Sequence, residues 1–292
     1  MSDVLLGLAH LIKHSNFQLP SLKGVGGTDS TPLGKPFEVY CKDWLSLLLP
    51  GNVNQRLNFY DQAFSYQGAD NNPPDVMYRG GNAGDAFEFK KTESATAALP
   101  LNSSYPKDCL TNTSPGLLSV CINCEPWTKR TFYYVIGRVK KGDQRVSSLW
   151  VVDGRLMASK HSDYIKVFTG LQVVVDAFIT SQKLHKIDSV ELGRIRTIDP
   201  LDKTVLRVRS MWELESPQKT FAKVEGVKPD KKKAVLHALI LDSSWENYSA
   251  QSKTAITSLV GREGFALTNV TNIPDPSNPQ KILSAKLIRY ES

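Results

Sequence analysis

Two short runs of strand-forming residues on either side of Gly80-Gly81-Asn82-Ala83-Gly84 constrain this chain more than any other stretch. The segment reads NNPPDVMYRGGNAGDAFEFKKTES from Asn71 to Ser94. A glycine-rich turn between such runs predicts a hairpin. With the fold-back point between Gly81 and Asn82, Asp75 and Glu88 are equidistant from it and fall opposite each other. Opposite residues of an antiparallel pair share a face, with Cβ atoms ~5 Å apart. Alternation along the return strand groups Ala86, Glu88 and Lys90 and turns Phe87 and Phe89 toward a core. Two carboxylates that close repel, and each is costly to desolvate alone, so the arrangement asks for a cation. Oxygen ligands of this kind suit a hard divalent ion such as Mg²⁺.

Around the hairpin the periodicity predicts a helix from about Asp3 to Lys13, a Gly-rich loop KGVGGTDSTPLGKP, and a helix from Phe37 to Leu49 stopped by Pro50-Gly51, with Glu38 in its first turn. Beyond it come the loop LPLNSSYPKD, a helical stretch around Leu117 to Trp127, and a strand TFYYVIGRV, with SSLWVVDG pairing to it. A helix from His161 to about Ile179 precedes an irregular basic segment holding the strand TVLRVRSMW. The last third carries a strand KAVLHALIL, a helix across Ser244 to Ser258 and a closing strand near KILSAKLIRY. This is an α/β chain with a mixed central sheet flanked by helices. Its 292 residues, 41% hydrophobic, suffice for a full core. It reads as one domain, with a core over about 35–215 and an α/β extension over about 216–292. No basic leader with a cleavage site opens the chain, and no segment approaches the ~18 uninterrupted apolar residues of a membrane span, so a soluble, cytoplasmic protein without membrane contact is expected.

Cys121-Ile-Asn-Cys124 has the two-residue gap of zinc and redox sites, but a structural zinc needs four ligands and His161 is the nearest histidine downstream; the plainer reading is two free thiols one helical turn apart. The net charge is +7, with 13 Lys plus Arg against 8 Asp plus Glu between Lys183 and Lys233. That excess favours a polyanion as partner.

Pro74-Asp75 followed by Glu88-Phe89-Lys90 has the form of the PD-(D/E)XK nuclease signature, a short pattern that a solvated surface hairpin also satisfies. Several separate blocks in order say more. Along nearly its whole length the chain resembles the NgoPII family of type II restriction endonucleases, through the hairpin segment itself, LNSSYPK, ELGRIRTIDPLDKTVLRVRSMWELESP and the terminal NPQKILSAKLIRY. Two departures stand out: the turn between Asp75 and Glu88 is longer than the family pattern, and Ser210 stands where that pattern has glycine before Met211-Trp212.

The resemblance implies a PD-(D/E)XK core and a Mg²⁺-dependent endonuclease of a restriction-modification system, a homodimer that cuts both strands of double-stranded DNA at a short palindrome, GGCC in this family. Asp75 and Glu88, helped by the Phe89 carbonyl, would hold the metal, and Lys90 would contact the attacking water and the phosphate. Glu38 is a candidate third carboxylate, with stabilisation of a helix N-terminus as its alternative role. For DNA contact the candidates are Arg207 and Arg209, which share a face of one strand, Arg194 and Arg196 at the same spacing, and Asn102, Ser103, Ser104 and Lys107 just beyond the catalytic strand. Arginine suits bidentate contact with guanine O6 and N7. Salt bridges from the arginines to Asp199, Asp202 or Glu213 are the competing reading, and Asn-Ser-Ser is also ordinary turn chemistry. Two rivals remain: a structure-selective repair or recombination nuclease using the same core, and a non-catalytic DNA-binding protein.

Overall fold

Alternating side chains along the central strands sort the core into two layers, one on each face of a sheet. The computed structural model describes residues 2–14, 16–21, 35–68, 72–189, 191–227 and 233–292, so most of the predicted Gly-rich loop lies outside the described residues. Helices α1 (Val4–His14) and α2 (Lys35–Leu45) precede a 3-10 turn, helix α3 (Arg56–Ala63) and strand β1 (Phe64–Gln67). The hairpin is β2 (Val76–Tyr78) and β3 (Ala86–Thr92), followed by β4 (Leu99–Asn102), β5 (Cys109–Thr111), α4 (Ser119–Ile122), β6 (Lys129–Val139) and β7 (Val146–Asp153). Next come α5 (His161–Ser181), β8 (His185–Lys186), β9 (Gly193–Arg196), β10 (Leu206–Val208), β11 (Trp212–Leu214) and α6 (Pro217–Thr220). The chain closes with β12 (Val235–Leu241), α7 (Asp242–Asn247), α8 (Ala250–Thr257), β13 (Phe265–Asp275) and β14 (Asn278–Glu291).

The main sheet runs β1-β2-β3-β6-β7-β12-β14-β13, with β5 also on β6. β3 is parallel to β6 and β7 to β12, while β2/β3, β6/β7 and β12/β14 are antiparallel, which makes the predicted mixed sheet. Phe87, Phe89, Tyr133, Val135, Ala238 and Ile240 pack on one face beneath α1, α2 and α8; Ala86, Tyr134, Ile136, Trp150, Val152 and Leu239 form the other layer with Leu99, Leu214 and Phe221. The segment expected as an extension supplies β12, β13 and β14 to this same sheet. A second, three-stranded sheet β10-β9-β8 packs against α5.

Several predicted elements are shorter or split. The helix expected over Ser244 to Ser258 breaks at Tyr248-Ser249: the Tyr248 hydroxyl donates to Asp85 at 2.9 Å, and Ser249 restarts the helix by accepting from the Ser252 N–H at 3.1 Å. The stretch around Leu117 to Trp127 yields only the four residues of α4. The strand TVLRVRSMW divides because Trp212–Leu214 leaves β10 to pair with β4. β1 and β13 went unforeseen. α5 matches its prediction, yet it is long and apolar enough by length and composition to cross a membrane, and of its residues only Ile179 is buried. Polar interruptions hide this from a search for uninterrupted apolar runs.

Asp85, just before β3, is 2% exposed and ties α1 to the sheet by accepting from the Val4 N–H at 3.1 Å and from Tyr248. Burial pushes its carboxyl up to about 8. Because the folded value lies above the unfolded one, the associated stability is fully present below the ordinary carboxylate range and is lost as pH rises through about 8. Asp85→Asn imitates the protonated acid. Its thermal midpoint is expected to match wild type near pH 4 and to exceed it increasingly up to pH 9; parallel melting curves across that range would reject a neutral Asp85.

Candidate active site

The hairpin register is the predicted one. Val76 pairs with Phe87 and Met77 with Ala86, which carries Asp75 opposite Glu88. Pro73 and Pro74 have no N–H to continue the β2 ladder. Asp75 takes over at that point: its backbone N–H donates to the Phe87 carbonyl at 2.9 Å, and its carboxylate accepts from the Phe89 N–H at 2.5 Å. Phe87 and Phe89 are buried in the helical-side layer, so Glu88 and Lys90 point to the opposite face, beside Tyr134 and Ile136 of β6.

Lys90 Nζ lies 2.8 Å from Glu88 Oε1, in a largely buried ion pair. Glu88 Oε2 is buried and has no hydrogen-bond partner among the described residues. Desolvation first, and then the charge of Glu88, hold the Asp75 carboxyl well above the usual carboxylate range. For Lys90, burial disfavours the charge, but Glu88 and Asp75 outweigh it and keep the ammonium above its ordinary value. Two carboxylates thus face one lysine, and an oxygen remains unpaired where a buried polar atom is ordinarily satisfied. This donor set fits a hard divalent cation.

Glu38 sits on α2 close enough for its charge to contribute to the upward shift of Asp75. Its carboxylate is engaged by Lys42 at 2.5 Å. Among the described residues no group of three or more His, Cys, Asp or Glu side chains is placed to hold a metal ion, so Glu38 does not complete a cluster with Asp75 and Glu88.

Lys107 is in a different place from that expected of a DNA contact. It is 3% exposed, its Nζ donates to Ser104 Oγ at 3.0 Å and lies 4.2 Å over the Tyr105 ring, and its backbone N–H donates to the Tyr134 hydroxyl at 2.7 Å. Burial lowers its ammonium to about 8, with Glu88 pulling the other way. A lysine so enclosed cannot present itself to a duplex. Ser103 is exposed, Ser104 is half-buried, and Asn102 ends β4 opposite Trp212.

The small sheet gathers the arginines. Arg194 pairs with Arg207 across β9 and β10, so these share a face with Arg196, while Gly193 and Ile195 lie on the α5 side. A Cβ on Gly193 would come within 2.8 Å of Val175 of α5, which explains glycine there. Arg209 lies just past the end of β10 but converges with Arg207 on Glu191, a partner that sequence reasoning missed. Arg207 offers Nε at 3.1 Å and Nη2 at 2.5 Å, and Arg209 offers Nε at 2.6 Å. Arg196 is 3.7 Å from Asp202, as the salt-bridge reading anticipated. Glu191 occupies the side edge of the Arg207 guanidinium. The end edge, Nη1 with Nη2, has no acceptor of its own among the described residues and could take a second bidentate partner.

The NgoPII restriction endonuclease family model matches residues 2–273. The type II restriction enzyme NgoPII of Neisseria gonorrhoeae is 32% identical over 257 residues, 88% of this chain and 88% of that protein. No solved structure matches.

Proposed function

The chain belongs to the NgoPII restriction endonuclease family, and from that premise we propose that this type II site-specific deoxyribonuclease is a Mg²⁺-dependent PD-(D/E)XK enzyme that acts as a homodimer and cuts both strands of duplex DNA at GGCC. The observation that carries the catalytic part is the buried Glu88 Oε2, without a hydrogen-bond partner among the described residues, opposite Asp75 and with Lys90 on the other carboxylate oxygen.

In this reading Asp75, Glu88 and the Phe89 carbonyl hold the ion. When bound, the ion supplies a Lewis acid that draws charge from a phosphate oxygen. The Phe89 N–H fixes the rotamer of Asp75, so the carboxylate is oriented before substrate arrives. Lys90 balances the two acids and donates to the attacking water and to the phosphate, aligning attack with the departing 3′ oxygen. The aromatic layer under Phe87 and Phe89 keeps water from the other side of the strand.

Readout falls to the arginine face. Glu191 holds Arg207 and Arg209 as a pair, and their open edges meet guanine O6 and N7 in the major groove. Alanine at either is expected to cost ~1–3 kcal/mol on the cognate site and almost nothing on a scrambled duplex; an equal loss on both would move these residues to the phosphate backbone. The whole reading is tested by incubating a sequenced linear duplex with protein and Mg²⁺ and mapping the ends. Sharp fragments with common termini at GGCC are expected. Cutting confined to branched DNA would favour a repair or recombination nuclease, and no Mg²⁺-dependent cutting would reject catalysis.

A further inference from the structure

α5 carries the most conspicuous uncovered surface among the described residues. Val167, Leu171, Val174 and Phe178 are 53%, 46%, 66% and 53% exposed, and Val173 beside them is 63% exposed. Their spacing of four, three and four residues puts the first four on one helical stripe, the pattern by which one helix seats on another. The other side of α5 is occupied: Val175 meets Gly193, Gln172 reaches the Glu191 carbonyl, and Asp176 pairs with Lys186 at 2.6 Å. The stripe therefore faces away from the protein's own small sheet.

We infer that this stripe is the contact between two copies of the chain, α5 packing on α5 of the partner about a two-fold axis. Three observations select a second copy. First, the stripe and the Gly170 and Ala177 that flank it hold no charge, so the surface is complementary to itself and offers nothing to an acidic or basic partner. Gly170 has nothing within 4 Å of where a Cβ would stand, leaving room for another helix to approach closely. Second, the exposed apolar area is on the order of 400 Å², the size at which a patch marks an interaction site and about half of one partner's share in a standard interface. Third, the arginines lie on the opposite face of the β8–β10 sheet from α5, so pairing through α5 leaves them uncovered. The assignment rests in part on the proposed function, because one chain has a single Asp75, Glu88 and Lys90 set and cutting two strands calls for two. A lipid surface is the weaker occupant: full insertion of α5 would break the Asp176–Lys186 pair and strip the helix from its sheet.

The experiment is analytical ultracentrifugation of the full chain over a concentration series, for wild type, Leu171→Glu and Val174→Glu. A two-fold contact repeats each substitution twice, so the dimer dissociation constant is expected to rise at least ~100-fold, with circular dichroism and melting unchanged. Leu57→Glu, at an exposed leucine of α3 remote in sequence, is the control and should dimerise normally. Should the glutamate variants misfold, Leu171→Ala and Val174→Ala keep the helix and should weaken the dimer by a smaller, measurable factor. A wild type that is monomeric throughout, or folded stripe variants that dimerise like wild type, would overturn the inference. So would flotation of wild type, but not of the glutamate variants, with phosphatidylglycerol vesicles. A chain that dimerises through the stripe yet cuts no DNA would overturn the nuclease reading and leave this one standing.

Discussion

Replacing Lys90 by alanine is expected to lower single-turnover cleavage by about 10³-fold while leaving specific binding close to wild type. The ammonium sits 2.8 Å from Glu88 on the face where the two carboxylates meet, and its charge is held above the ordinary lysine value by both acids despite burial. It is therefore a full cation at neutral pH, placed to meet a phosphate. Neighbouring Lys107 does not substitute, since its Nζ is committed to Ser104 and the Tyr105 ring and its charge is weakened toward about 8. Binding is measured by gel shift on cognate duplex with Ca²⁺ in place of Mg²⁺, and rate by quench-flow. Cutting near the parental rate would remove Lys90 from the chemistry.

Asp75→Ala should be as inactive, for a different reason, and binding separates the two. Losing a carboxyl from the proposed metal site should abolish loading of the ion, but it also removes an anion from beside the phosphate, so metal-free DNA binding should tighten. Wild-type Asp75 is held well above the usual carboxylate range, chiefly by burial and then by the charge of Glu88, so protons compete with the ion for it as pH falls. Ion affinity therefore drops on acidification as the carboxyl protonates. Calorimetric titrations of the ion over a pH series should show affinity falling more steeply on acidification in wild type than in Asp75→Asn. The same pH dependence in both would place the linked proton elsewhere.

Most of the hairpin is legible in the sequence because its information is local. Turn residues and strand period fix which residues oppose, and Asp75, Glu88, Phe87 and Phe89 lie where that register puts them. What the sequence concealed depends on distant chain. Burial of Lys107 arises from Tyr134 and Tyr105, and nothing in LNSSYPK announces that the lysine folds back under its own loop. Glu191, the partner of Arg207, is sixteen residues away in sequence and is reached through the β9/β10 pairing, which no local pattern announces. The helix over Ser244 to Ser258 had unbroken propensity, yet the Tyr248 hydroxyl is spent on Asp85 across 163 positions. In each case a tertiary polar contact overrode a local pattern.

The tip of the hairpin is not a free loop. Asn82 Oδ1 accepts from the Thr128 N–H at 2.6 Å, Arg130, buried over Trp127, donates to the Tyr78 carbonyl at 2.6 Å, and Glu125 takes up both Arg130 and the Gly80 N–H. A Cβ on Gly84 would stand 2.4 Å from the Tyr78 carbonyl, so the neck of the turn is closed to larger residues. Anchored there, the hairpin can change length during descent in only one way. Residues gained or lost within Gly80 to Gly84 alter the turn and leave the ladder alone. A single residue gained between Asp85 and Glu88 would send both charged groups into the aromatic layer and the phenylalanines out. The odd length change is forbidden in the arms and confined to the tip.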